Sequence, residues 1–480
     1  MKSKRVALFF YVAAAAFCAT ALMAAGLGVG SAQAKEPPKP KSIWEQEKLT
    51  GDWGGARTAL KDRGIDITLA YIGETLAVLS GGLHRRASYE GRAEFSVDTD
   101  LQKLVGWTGA STHVTVFDIH NSSWFNAADN VGAITDPSNI DAPLPTARLF
   151  TAWFQQNLFN DRLSIRAGQI AIDEEFMTGV NIGGASTPLT PAAGLINATF
   201  GLIQVIPANM TSGGPAYPFA APGVRVWAAA TNELSVTGAV LSGDPAGPNC
   251  HDDNPLKCNP YGLEFSFTGG SLWMGELQYA VNTDKKATGL TGVYKLGGWY
   301  ATTRFPSQRY GMDATGAVVS LGVDDTADPI QLRGDWGLYG VVDQMIWRGA
   351  ESHVNLFARA GFSPTQRNLI SYYVDGGFGV YGPIAGRPDD MLTFGVAYVK
   401  ISPEVAGVDQ DALADSGPPY AVRHSETVYE LSYIAQIAPW WSIQPDLQYI
   451  VQPNGGQNGD DPTITVKNAF IVGVRSTVQF

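Results

Sequence analysis

Apolar and polar residues alternate with a period of two along most of this chain, in stretches of about ten residues broken by turns. Ile65, Ile67, Leu69 and Tyr71 alternate with Asp66, Thr68 and Ala70. Ala93, Phe95 and Val97 alternate with Arg92, Glu94, Ser96 and Asp98. Trp441, Ile443, Leu447, Tyr449 and Val451 alternate with Ser442, Gln444, Asp446, Gln448 and Gln452. The last stretch sets Phe470, Val472, Val474, Ser476, Val478 and Phe480 against Ile471, Gly473, Arg475, Thr477 and Gln479. A strand crossing a bilayer needs about 9–11 residues, with one face toward lipid and the other toward a wet lumen. Any one stretch also fits a half-buried strand of a soluble sheet. Charges that keep falling opposite aromatics, and a chain that ends on Phe480, favour the barrel. No apolar run of about 18 residues follows residue 34, so no spanning helix is expected there.

Seventeen stretches fit: 65–79, 90–100, 110–119, 147–158, 162–170, 222–231, 234–242, 261–268, 272–282, 290–303, 334–347, 351–362, 371–381, 391–402, 425–438, 440–452 and 467–480. Single-chain bacterial barrels have even strand numbers, so one is surplus or one is hidden. Short turns should share one rim. Ala438-Pro439 and Arg348-Gly349-Ala350 set the phase from the C-terminus, and Phe159-Asn160-Asp161 and Gly269-Gly270 set it from the N-terminus. The two phases disagree between 282 and 334. Either 316–323 hides a strand, giving 18, or one candidate is false, giving 16.

The N-terminus indicates export. Lys2, Lys4 and Arg5 precede an Ala-rich apolar run, and Ala32-Gln33-Ala34 is a small-x-small cleavage site. Residues 1–34 therefore read as a signal peptide, 35–64 as a linker with a short helix over Gly54–Asp62 capped by Gly64, and 65–480 as the barrel; an uncleaved anchor is the alternative. Cleavage removes three of 33 cations and none of 45 acids, leaving a balance of −15. That argues against a nucleic-acid partner and says little about a pore's solute, which is chosen at a constriction. Cys18 lies in the signal. Cys250 and Cys258 remain, and in an oxidising compartment they read as a disulfide closing a short loop. A metal site using His251 and an Asp is the alternative, although the spacing fits no standard zinc pattern. No cofactor is implied. An enzyme would need a nucleophile with a His partner, and no such pattern accompanies His84, His113, His120, His251, His353 or His424.

Residues 176–224 hold no charged side chain but carry eight Gly and six Pro, with Phe176, Leu195, Ile196, Phe200, Leu202, Ile203 and Ile206. Disordered segments are normally charged and poor in apolar residues. This one reads as a packed loop that folds into the barrel or against a neighbouring subunit; an ordinary surface loop is the plain alternative.

Leu49-Thr50-Gly51-Asp52-Trp53-Gly54-Gly55-Ala56-Arg57 resembles the N-terminal signature of the OprB-type carbohydrate-selective porins. Further matches are Lys103–Trp107, Gly168–Phe176, Lys295–Tyr300, Gly337–Gln344, Glu430–Tyr433, Pro439–Trp441, Gln444–Ile450 and Pro453–Gly456. The resemblance spans residues 49–480, apart from 121–146 and 303–333. It implies a bacterial outer-membrane antiparallel β-barrel of 16 strands with long extracellular loops and a constriction loop. It implies a homotrimer in outer-membrane lipid that passes monosaccharides such as glucose by diffusion, and no enzyme. A general or anion-selective porin shares every barrel feature and differs only at the constriction.

A monosaccharide has apolar C–H faces and a rim of hydroxyls, so a selective pore needs an aromatic plate and polar groups, binding weakly enough to release. Arg suits adjacent hydroxyls because its planar head carries five donors. Alternation puts Phe150, Ala152 and Phe154 outward and Thr151, Trp153 and Gln155 inward. It puts Arg92, Glu94 and Arg166 inward, and Asp173, Glu174 and Glu175 open the charge-free loop. Arg92, Glu94, Trp153, Arg166, Asp173, Glu174 and Glu175 are therefore the constriction candidates. Mutual neutralisation of lumen charges is the alternative for each, and an interface-belt position for Trp153. Arg57 is expected to be structural.

Overall fold

A computed structural model describes residues 42–122, 126–179, 194–284 and 287–480. The signal peptide, Cys18 and residues 180–193 of the charge-free loop lie outside them. The strands are β1 (Ile65–Gly82), β2 (Ala87–Asp100), β3 (Ala110–Asn121), β4 (Ala147–Leu158), β5 (Leu163–Ile170), β6 (Ala221–Ala229), β7 (Leu234–Ser242), β8 (Ser271–Val281), β9 (Gly292–Met312), β10 (Val318–Ser320), β11 (Asp328–Arg348), β12 (His353–Phe362), β13 (Ile370–Tyr381), β14 (Met391–Ile401), β15 (Ser425–Ala438), β16 (Trp441–Val451) and β17 (Lys467–Gln479). All are antiparallel to their neighbours, and β1 pairs with both β2 and β17, which closes the barrel. β10 is a three-residue ribbon on the far end of β9. The remaining sixteen form the wall. Among the described residues no helix is long and apolar enough to cross a membrane.

The false strand is 261–268, outside the interval where the turn phases disagree. Ser242 of β7 pairs directly with Ser271 of β8, so the wall has no gap for another strand. Residues 243–270 are a long loop, and Gly269-Gly270 is its end rather than a short turn. With that corrected, the short turns at 159–162, 230–233, 349–352 and 439–440 share one rim with both ends of the barrel chain. Leu263, Phe265 and Phe267 alternate as a strand would, but all are exposed. Gly262 has φ +67°, and a Cβ there would collide with the Leu149 carbonyl oxygen. The 316–323 segment holds β10 within a hairpin extension of β9 and β11. These two strands have 21 residues each, about 70 Å of extended chain, so they rise well past the bilayer. The helix Pro403–Ser416 braces them, with Arg309 Nε 2.9 Å from Asp411 Oδ2.

The short-turn rim is built by local chemistry. Asp100 caps the helix Leu101–Val105 by accepting from the Gln102 and Lys103 amides. The linker helix runs Ala56–Asp62, and its segment grips the last strand. Arg57 Nη2 donates to the Phe480 carbonyl at 2.8 Å, the Leu49 amide donates to Gln479, and the Phe480 amide donates to Leu69 of β1. Trp440 Nε1 donates to the Ile43 carbonyl, and the Trp440 ring stacks on Trp44 and Trp441.

The outer face is uneven. From β6 to β16 it presents Val224, Val226, Trp273, Leu277, Leu296, Leu338, Leu356, Leu431 and Leu447, all exposed. On β1–β3, the register sends Tyr71, Thr75, Tyr89, Asp118 and His120 outward among Gly73, Gly91, Ala77 and Ala93. Tyr71 hydrogen-bonds the Tyr89 hydroxyl and lies 3.0 Å from His120 Nε2.

Inside, the lumen is largely filled. Phe176, Met177, Leu195, Phe200, Leu202, Ile203, Val205 and Ile206 of the charge-free loop are buried against inward residues of the wall, among them Trp299, Tyr339, Phe357, Val399, Val428 and Ile471. The inner face of β17 is thus apolar at Ile471 and Ala469, where a solvated lumen would have wanted polar groups. Inward carboxylates hold the loops. Glu430 accepts the amides of Ile196 and Asn197, Glu426 those of Ile134 and Thr135, Glu276 that of Met177, and Glu90 that of Ala127. Glu74 accepts from the Ser138 hydroxyl and pairs with Arg475. Arg359, paired with Asp375, donates to the carbonyls of Thr199 and Phe200.

Candidate functional site

Where the charge-free loop leaves β5 it turns inward through Ile172–Glu174 and runs back down the lumen, which brings Glu175 beside β5 and β6. Arg166 of β5 pairs with Glu175 and donates from Nε and Nη2 to Gln155 Oε1 of β4, at 3.1 and 2.9 Å. Arg225 of β6 lies directly across from Arg166 in the register. Its Nε is 2.9 Å from the other Glu175 oxygen, and its Nη2 donates to Gln155 at 3.0 Å. One carboxylate thus bridges two guanidinium groups, with an amide oxygen between them. Charge-assisted, multidentate contacts of this kind fix geometry more tightly than single ones. All three charged side chains are mostly buried, with Arg166 13 % and Glu175 12 % exposed.

Trp153 faces inward, not toward an interface belt. The Arg166 guanidinium lies 3.6 Å from its ring centroid, and His113 stacks on it at 5.0 Å and 18°. With Arg166 and His113 both packed on the ring, Trp153 is a support for Arg166 rather than an open plate. His113 is held by Asp98 at 2.7 Å and Thr115 at 2.7 Å. Gly168 makes this packing possible, because any Cβ there would collide with the Ala152 carbonyl oxygen.

Arg92 is fully buried, 4.1 Å from the Phe117 ring and 5.1 Å from that of Tyr217 of the infolded loop, so a solute does not reach it. Its partner Glu94, 3.3 Å away, keeps 13 % of its side chain exposed. Asp173 is also buried. Glu174 is half-buried; burial, reinforced by Asp173, pushes its carboxyl up to about 8. The outward assignment of Phe150 fails. A bulge between the Thr115–Thr151 and Val116–Leu149 pairs adds one residue to β4. Phe150 is consequently buried on Phe117 at 4.8 Å. Ala152 and Phe154, on the other side of the bulge, keep their face.

Arg225, the first charged residue after the charge-free segment, is not among the sequence candidates. Alternation with Val224 and Val226 was the signal that it faces the lumen. The loop-holding glutamates carried no such signal, since their partners are backbone amides far away in sequence. Cys250 and Cys258 are disulfide-linked with Cα atoms 5.7 Å apart, and among the described residues no cluster suits a metal. The linked loop drives Leu256 into the cluster around Phe117, Phe150 and Phe219. Toward the short-turn rim from the Arg225–Glu175 bridge opens a cavity of about 820 Å³, lined by Trp227, Arg162, Glu233, Gln278, Lys295 and Thr178.

Residues 84–480 match the model of the carbohydrate-selective porin, OprB family. Porin B of Pseudomonas aeruginosa is 27 % identical over 482 residues, covering 96 % of this chain and 97 % of that protein. The solved high-pH structure of Pseudomonas putida OprB superposes with a TM-score of 0.77 at 23 % identity, covering 92 % of this chain and all of that one. Its low-pH counterpart gives 0.53 at 19 % identity, covering 91 % and 99 %.

Proposed function

This chain belongs to the OprB family of carbohydrate-selective porins, and on that premise we propose that its channel passes neutral monosaccharides such as glucose across the outer membrane into the periplasm by diffusion, selecting them at the Arg166–Glu175–Arg225 bridge. The observation that carries this is the bridge itself, set where the infolded loop narrows the lumen. Hydroxyls that leave their hydration water need donors and acceptors at fixed positions. Arg166 and Arg225 donate, and Glu175, Glu94 and Glu174 accept. Because these groups already satisfy one another, a sugar gains little net free energy by joining them, which suits a site that must release what it captures. Trp153 and Gln155 fix the orientation of the planar Arg166 head. No bond is made or broken.

Single-channel conductance in planar bilayers, with and without glucose, tests the proposal. Glucose should block the ion current, and Arg166→Ala should weaken the block. A wild-type pore with no preference for glucose over other solutes of its size would refute sugar selection. The two guanidinium groups also suit small anions, so the rival is an anion-selective pore; labelled glucose uptake compared with chloride conductance in vesicles separates the two.

We propose further that residues 1–34 are removed on export, and that three copies assemble within outer-membrane lipid through the β1–β3 face. An ionisable Asp118–His120 face set in hydrocarbon would be costly, which supports a protein neighbour there. Native mass spectrometry of the purified protein gives both the start at Lys35 and the copy number; a monomer would refute the trimer.

A further inference from the structure

We propose that the cavity on the periplasmic side of the bridge is a second monosaccharide subsite, with Trp227 as its aromatic plate. The inference rests on the sugar-porin reading and adds a site to it. A selective pore needs an apolar plate for the sugar's C–H face, and Trp153 does not offer one, since Arg166 and His113 pack on its ring. Trp227 does. It follows Arg225 by two residues on β6 and so shares its inward face, one step nearer the periplasm. Its cross-strand neighbours on that face are Ser164 and Thr237, both small. It is half-buried, among the described residues no ring or cation stacks on it, and it lines the cavity of about 820 Å³. That volume lies within the range of about 300–1,000 Å³ typical of ligand sites.

The rest of the lining fits a hydroxyl rim. Arg162 and Lys295 donate, Glu233 accepts, and Gln278 does both. Lys295 is fixed by Glu276 at 2.7 Å, and Glu276 also holds the Met177 amide. The loop that narrows the lumen and the cation at the cavity wall therefore share one carboxylate. Thr178, the next residue of that loop, lines the same cavity. A sugar released by the Arg166–Glu175–Arg225 bridge would next meet an aromatic face beside a polar rim. Capture there lowers the chance of return to the constriction and lets the upper site empty while the lower is filled.

The test measures glucose block of single channels of known orientation, with glucose added to one side at a time, in wild type, Trp227→Ala and Trp227→Phe. Assembly is checked by heat-modifiable migration in gels. Trp227→Ala should weaken binding of glucose added from the periplasmic side by about fivefold, as expected for loss of an aromatic contact worth about 1 kcal/mol. Trp227→Phe, which keeps a ring, should recover most of it. Glucose added from the extracellular side should still block both variants through the bridge. An assembled Trp227→Ala pore with unchanged glucose binding from the periplasmic side overturns the subsite and leaves the porin reading intact. A wild-type pore that glucose does not block from either side overturns the sugar reading and the subsite with it.

Discussion

Glu175→Gln is the sharpest probe of the constriction, because it removes one charge and keeps the size of the side chain. Glu175 touches both Arg166 and Arg225, so its loss leaves two cations answered only by the Gln155 oxygen and neighbouring acids. An ion passing about 5 Å away feels a unit charge by about 0.8 kcal/mol even at the dielectric of water. Anions gain that amount and cations lose it, a swing of about 1.7 kcal/mol in relative permeability. Screening over a Debye length of about 10 Å at 0.1 M salt trims it to about 1 kcal/mol, roughly fivefold toward anions. At 1 M, where the length is about 3 Å, the change falls below about twofold. Reversal potentials across KCl gradients at the two salt levels read this directly. Unchanged selectivity at 0.1 M in an assembled Glu175→Gln pore would mean that the carboxylate does not face the conduction path, and the bridge would lose its assigned role.

Other measurements check other parts of the molecule. Glu174, with its carboxyl pushed up to about 8, is neutral below that pH and negative above it; raising the pH from 6 to 9 should increase cation permeability, and Glu174→Gln should flatten that rise. Replacing Glu430 and Glu426 together with Ala strips acceptors from the amides of Ile196, Asn197, Ile134 and Thr135, at about 1–3 kcal/mol for each amide left buried without a partner; conductance should rise and glucose block fall while the barrel keeps its heat-modifiable migration. Peptide mass spectrometry without reductant should find Cys250 and Cys258 joined, and two free thiols would contradict it. Deleting Phe480 removes the amide that bonds Leu69 and the carbonyl that Arg57 grips; the yield of folded barrel should drop, which gel migration measures.

The wall was legible because its signal is local. A pleated strand between two different media must alternate, and residues such as Arg166 and Gln155 can be assigned a side from their immediate neighbours. Assignments failed where one residue breaks the period. The bulge at Phe150 turns that side chain into the lumen, and the aromatics of 261–268 alternate in a loop with no strand to pair with. The infolding of the charge-free loop could be suspected from its apolar content. Its moorings could not, since Glu430 and Asn197 meet across 233 residues and a glutamate bonded to an amide looks in sequence like any solvated one. Arg92 and Trp153 show the same limit: alternation gives the side a residue faces, and only packing shows that Tyr217 covers one and Arg166 the other.

The moorings also change what the chain's acidity means. The sequence carries 45 acids against 33 Lys and Arg, yet Glu74, Glu90, Glu276, Glu426 and Glu430 spend their oxygens on loop amides, hydroxyls and fixed cations. Those five charges are committed to the loops, and on the proposed reading a solute in transit meets Arg166, Glu175 and Arg225 instead. Grafting a shorter, polar loop in place of residues 176–220, which keeps Glu175 on Arg166 and Arg225, would uncover Glu276 and Glu430, and the same wall would then shift toward cations. Permeability is thus written in which carboxylates the loops occupy, and two relatives with equal net charge can conduct opposite ions.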